Sequence, residues 1–233
     1  MMTDIFSSFD PASCASFTSI SPLLFWSLSF TTLSMNQASL WLAQSRISWL
    51  HTFPMEMMSA QASRTFGLHL KGFPSILVPL FIMLIISNLF GLLPYVFSTT
   101  SHLFMTLAIG FPLWLSLILS GALHNPKSFS AHFLPSGAPD WLNPFLVVIE
   151  SLSVLFRVIT LSFRLTANMS AGHIILGLVG IYSSSAMLSS ISTASCLLLI
   201  QLFYIVFEVG ICLIQAYIFC LLLSLYSDDH PNN

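Results

Sequence analysis

Charge is the scarcest thing in this sequence. Only 6% of its 233 residues are Asp, Glu, Lys or Arg, against ~25% in a soluble domain. From Pro11 to Ser45, and again from Gly72 to Pro126, there is no formal charge at all. A soluble globular fold is excluded, since it has no polar surface to show to water. The net charge of −2 and pI near 6.3 leave no basic face for nucleic acid. Cysteine is sparse too. Cys14, Cys196, Cys212 and Cys220 lie in apolar runs without a CxxC pair, so neither a disulfide frame nor a zinc site is indicated. The seven histidines make no HExxH spacing, and neither GxxxxGK[ST] nor GxSxG occurs. No cofactor, nucleotide or metal is expected, and no nucleophile–base set that would make this chain an enzyme by itself. The N-terminus carries Asp4 and Asp10 but no basic segment, so it reads neither as a secretory signal nor as a transit peptide.

Apolar residues fill the space that charge leaves. They make up 56% of the chain, and mean hydropathy is +0.90. Runs of about 20 such residues span a bilayer as helices. The expectation is an all-α integral membrane protein with about five membrane helices and an amphipathic surface segment. The first span is placed at 14–35. Residues 36–72 alternate Leu40, Trp41, Ile47, Leu50, Met57 and Met58 with Gln44, Arg46, Arg64 and Lys71, which suits a segment lying at the membrane surface, broken at Pro54. A hairpin of two spans fills 73–123, with Pro79, Pro94 and Pro112 as kinks or ends and Asn88 as interhelical glue. A Pro/Gly/Ser loop covers 124–142. Asn143-Pro144 then reads as an N-cap and first-turn pair. Counting crossings, Arg46, Arg64, Lys71 and Lys127 share one side, the cytoplasm-like or matrix side by the positive-inside rule. The N-terminus falls on the far side and the C-terminus on the basic side.

The remaining two stretches are polar in a specific way. In 143–180, Glu150, Arg157 and Arg164 recur every seven residues and share one helix face, while His173 falls on the opposite face. The flanks VLF, VIT and LSF are too apolar for a solvated surface helix. Arg cannot shed its proton, and a cation at membrane depth costs at least ~2.5–3.5 kcal/mol. Such residues mark ion pathways. In 186–226, Gln201, Glu208 and Gln215 repeat the spacing, with Tyr204 one turn before Glu208. Gln201 suits either a water-lined path between the two helices or plain helix–helix bonding. As a helix, 143–180 is about 57 Å long against a ~30 Å hydrocarbon core, so each long helix is either broken or steeply tilted. Tilt is the expectation adopted.

The run IESLSVLFRVITLSFRLTANMSAGHIILGLVG, with LFGLLPYVF, FPLW, AHFLPSGAP and FEVGICLIQAYIFCLLLSLY, resembles the membrane subunit a family of F-type ATP synthases. The likeness covers nearly all of the chain after about residue 70, and His at 173 with Glu at 208 is similar to the mitochondrial type. It implies a proton-translocating stator whose last two helices lean against a rotor ring of small carboxylate-bearing membrane subunits. Other membrane and peripheral-stalk subunits, protons and lipid are the further implied partners, and the location implied is the mitochondrial inner membrane. By the same resemblance, Arg164 is the essential arginine facing the rotor, with Asn168 and Gln215 beside it. His173 and Glu208 belong to the half-channel open to the intermembrane space, Glu150 to the matrix-side half-channel, and Arg157 is a second arginine of less definite role. An independent ion-coupled transporter would show internal repeats or paired broken helices, and none is evident. A structural subunit with incidental charges is the other alternative.

Overall fold

The computed structural model describes residues 46–65, 67, 70, 72–93, 96–133, 140–228 and 230, together with Phe9 and Ser27. The expected first span at 14–35 lies outside the described residues. Six α-helices follow in order: α1 (Arg46–Ala62), α2 (Phe73–Gly91), α3 (Leu103–His124), α4 (Pro126–His132), α5 (Asn143–Ser189) and α6 (Ile191–Asp228). No strand occurs among the described residues. Four of the helices, α2, α3, α5 and α6, are long and apolar enough to cross a membrane. Most of their large apolar side chains point outward, Leu199, Phe203 and Val206 of α6 among them, which is the pattern of a protein dissolved in lipid.

Several boundaries differ from the sequence reading, each for a local reason. Pro54 does not break α1, which runs through it. Met58 and Ala62, one and two turns later, are buried in the core, and that packing holds the helix across the missing N–H. Pro79 and Pro112 likewise sit inside α2 and α3. Asn143 does not cap α5. A short 3₁₀ turn, Asp140–Leu142, feeds straight into the helix, so helical geometry already begins at Leu142 and the Asn143 Oδ1 is buried without a partner. The cap-and-proline pattern works instead inside the expected loop. There Asn125 Oδ1 accepts from the Ser128 N–H at 3.4 Å and Pro126 opens α4.

Neither long helix is broken. α5 continues through Gly177 and Gly180 for 47 residues, and α6 holds for 38. The two are separated by one residue, Ser190, whose extended backbone (φ −160°, ψ 136°) turns the chain back. Its side chain bonds the Thr193 hydroxyl, which also donates to the Ser190 carbonyl at 3.0 Å, and the Ala194 N–H bonds that carbonyl too. The resulting antiparallel hairpin is in register about Ser190. Gly172 meets Glu208, Met169 meets Cys212, and Arg157 meets Tyr226.

Side-chain size sets how closely α6 packs. Glu208, Cys212, Ala216, Cys220 and Ser224 recur every fourth residue, and none is more than 1% exposed. Four of these five are small, the device by which membrane helices approach without a hydrophobic drive between them. The core on this stripe joins Leu161 and Leu165 of α5 to Leu77, Phe81 and Leu84 of α2. α3 closes against it at Gly110, where a Cβ would stand 3.1 Å from Ser162 Oγ and 3.6 Å from Phe219. Thr106 and Thr166 hydroxyls hydrogen-bond at 2.8 Å across the same contact. Asn88 acts as the glue expected of it, with its amide donating to the Cys212 carbonyl at 3.5 Å. One end of the bundle gathers Gly67 against Ser227, His124 against His230 and Arg157 against Tyr226.

Cys220→Leu adds bulk where nothing is exposed, and should destabilise the chain by about 1–3 kcal/mol. Leu199→Ala, on the outer face of the same helix, should change stability within about 0.5 kcal/mol. Thermal unfolding of the detergent-solubilised protein checks both.

Candidate functional site: two polar ends and an arginine between them

The expected polar residues separate into three groups along α5 and α6. The first is at the gathered end. Arg157 Nη2 lies 3.6 Å from Glu150 Oε1, which bears out the shared helix face. The Arg157 guanidinium also sits 5.6 Å from the centroid of the Tyr226 ring, within cation–π reach. These side chains border a pocket of about 70 Å³ that Trp114, Phe133 and His230 help to enclose.

The second group is centred on Glu208, only 1% exposed. Its Oε1 has no hydrogen-bond partner, and Tyr204 stands one turn earlier on the same helix. The carboxyl fits only because residue 172 is glycine. A Cβ there would stand 1.8 Å from Oε1 and 2.4 Å from Cδ. His173 follows directly, half-buried, with Nε2 buried and unpartnered and its ring edge-on to Phe9 at 6.3 Å. Residues 150 and 172 are about 33 Å apart along an α-helix at 1.5 Å per residue.

Arg164 stands between these ends. It is exposed and has no hydrogen-bonding or ionic partner among the described residues. Asn168, one turn on, and Gln215 across the hairpin are half-buried, and the described residues offer no hydrogen bond that joins either to Arg164. Gln201 is also half-buried.

Between its polar groups the hairpin is closely packed. Its middle is filled by Leu165, Met169, Cys212, Ala216 and Phe219, each at most 3% exposed, with Cys212 Sγ 3.6 Å from Met169 Sδ. The stripe of small residues that lets the helices touch leaves no bore. Sequence reasoning also passed over Gly172, Tyr226 and His230. Gly172 carried a usable signal. Glycine inside a helix costs roughly 1 kcal/mol relative to alanine, so its presence flags a close approach. Tyr226 and His230 gave none, being ordinary residues of a polar terminus.

A family model described as ATP synthase A chain matches residues 16–228. The ATP synthase subunit a of Anopheles gambiae is 37% identical over 231 residues, covering 98% of this chain and 99% of that protein. That of Drosophila melanogaster is 36% identical with the same coverage. That of Albinaria caerulea is 45% identical over 159 residues, 67% of this chain and 72% of the relative. The chain belongs to the ATP synthase A chain family. Membership ties it to ATP synthesis and proton transport, and its four long apolar helices tie it to the membrane.

Gly172→Ala should destabilise the protein by about 1–3 kcal/mol, because the carboxyl must leave its place. Adding Glu208→Ala should restore most of the loss, a coupling of about 0.5–3 kcal/mol in a double-mutant cycle on thermal unfolding. Additive effects would show that Glu208 does not occupy the space beside Gly172.

Proposed function

We propose that this chain is the proton-translocating stator subunit of an F-type ATP synthase, a multi-pass protein of the mitochondrial inner membrane. Two offset half-channels serve a rotor ring of carboxylate-bearing subunits, and Arg164 keeps them from short-circuiting. The observation that carries this reading is the position of Arg164: an exposed cation without a partner among the described residues, level with the filled middle of the hairpin. A permanent charge at membrane depth calls for a counter-charge, and the ionised carboxylate of a neighbouring ring supplies one.

The cycle follows from electrostatics. A proton entering past His173 and Glu208 neutralises a rotor carboxylate. The neutral group can pass through lipid at far lower cost than the charged one. When it comes round to Arg164, the guanidinium favours the ionised form, and the proton is released towards Glu150. Arg164 also repels a proton moving directly from one half-channel to the other. Each charge that crosses yields about 2.3 kcal/mol per 100 mV. The separation of the Glu208 and Glu150 groups by about 33 Å along α5 supports two half-channels. The bulk of Leu165, Met169 and Phe219 between them supports a path that must detour through the rotor.

Orientation has support from both ends. Arg64 and Lys127 lie on connections at the Glu150 end, which the positive-inside rule assigns to the matrix. The edge-on ring contact of Phe9 with His173, centroids 6.3 Å apart, supports an N-terminus on the other side. The N-terminus then faces the intermembrane space and the C-terminus the matrix, with α1 lying at the matrix surface. The remaining membrane and peripheral-stalk subunits complete the partners of this chain.

Arg164→Ala should leave the complex assembled and cut proton-driven ATP synthesis by on the order of 10²-fold or more, the scale of losing a fixed electrostatic group from a dry site. Synthesis in membrane vesicles and native gel electrophoresis measure the two. Normal ATP yield with alanine at 164 would favour a structural subunit. Proton transport by the purified chain alone would favour an independent transporter.

A further inference from the structure

The pocket beside Glu150 holds a group that the proposed cycle has not used. His230 lies just past the end of α6, anchored by its backbone N–H on the Ser227 carbonyl at 3.3 Å. Its imidazole helps to line the pocket, and both ring nitrogens are buried with no hydrogen-bond partner. Two unpaired polar atoms in a place of that kind cost free energy unless something transient satisfies them. His124, the last residue of α3, faces it with ring centroids 6.2 Å apart and is itself exposed. The pocket's volume of about 70 Å³ is room for water, which needs at least ~10–15 Å³ of such space.

We propose that His230 and His124 form the outermost proton relay of the Glu150 pocket, handing protons from Glu150 to bulk water on that side. This rests on the stator reading above. A neutral imidazole accepts a proton on one nitrogen and gives up the proton on the other, so the ring is neutral again once the proton has passed on, and reorienting restores its starting tautomer. His230 takes the proton from Glu150 through pocket water and passes it to His124, which delivers it to solvent. The other charged group on the pocket wall is Arg157, held against Glu150 and over the Tyr226 ring. Asp228 closes α6 two residues before His230, and Lys127 on α4 is exposed. Neither lines the pocket.

The test uses the assembled ATP synthase in inverted membrane vesicles, whose outer face carries the Glu150 end. His230→Gln should lower proton-driven ATP synthesis roughly tenfold. That is below the ~10²–10⁴-fold of a positioned acid–base group, because water can still substitute. A membrane-impermeant imidazole buffer added outside should restore most of the rate in the variant and leave the unmodified enzyme unchanged. A merely structural histidine would not respond to that buffer. His124→Gln, at an exposed position, should give a smaller loss rescued in the same way, and it decides the matter if His230→Gln fails to assemble. Full activity in both variants, or a loss that external imidazole does not relieve, overturns the relay. Glu150→Gln separates the two levels. If it abolishes synthesis while the histidine variants stay normal, only the relay falls. If it too is normal, the stator reading fails at its matrix-side exit.

Discussion

The close approach of α5 and α6 at Gly172 and Glu208 governs the rest of this structure. A carboxyl group that is 1% exposed has been fitted against bare backbone. Burying an acid without full hydrogen bonding is costly, and here the cost falls where two helices can least separate. Below that point, four small residues on α6 continue the contact down to Ser224, and bulkier residues of α2 and α5 wrap it. The polar groups on either side are held in place by this seam. Loosen it, and Glu208, Arg164 and Arg157 lose their common ruler.

Polarity is therefore distributed by packing. Where the hairpin is tightest it is dry. Where it opens, at the Glu150 end, there is a pocket walled by Trp114, Phe133 and Tyr226. The same hairpin thus combines a filled middle with an open margin, and leaves Arg164, unpartnered among the described residues, exposed at the level of the filling. Secondary polar contacts, such as Thr106 with Thr166 and Asn88 with Cys212, tie α2 and α3 to this hairpin. They keep the scaffold rigid without adding charge to it.

Much of this was legible in the sequence, for one physical reason. Charge is so expensive in a membrane that each ionisable residue there stands out, so Glu150, Arg157, Arg164, His173 and Glu208 could be picked out and their helix faces assigned from spacing alone. Tyr204 with Glu208 and Glu150 with Arg157 follow the helical period as expected. The helical class followed from hydropathy. Chain breaks were read less well. Gly177, Gly180 and Pro54 all carry breaker chemistry, yet the helices pass through them, and the true turn falls at Ser190. In these helices neighbours and lipid leave the backbone no better option than its own hydrogen bonds. The filled interface was also invisible, because polar residues at regular spacing say nothing about the bulk of those between them.

The unbroken length of α5 has a geometric consequence. Its 47 residues make a rod of about 70 Å, while a bilayer with its headgroups is ~40–45 Å thick. For both ends of the rod to stay within that slab, it must lean by about 50° or more. Its footprint in the plane of the membrane then stretches to about 50 Å, against the ~10 Å disc of an upright helix. A single strand of chain so inclined works less as a pillar than as a kerb, long enough for several neighbours to be lined up along it at once.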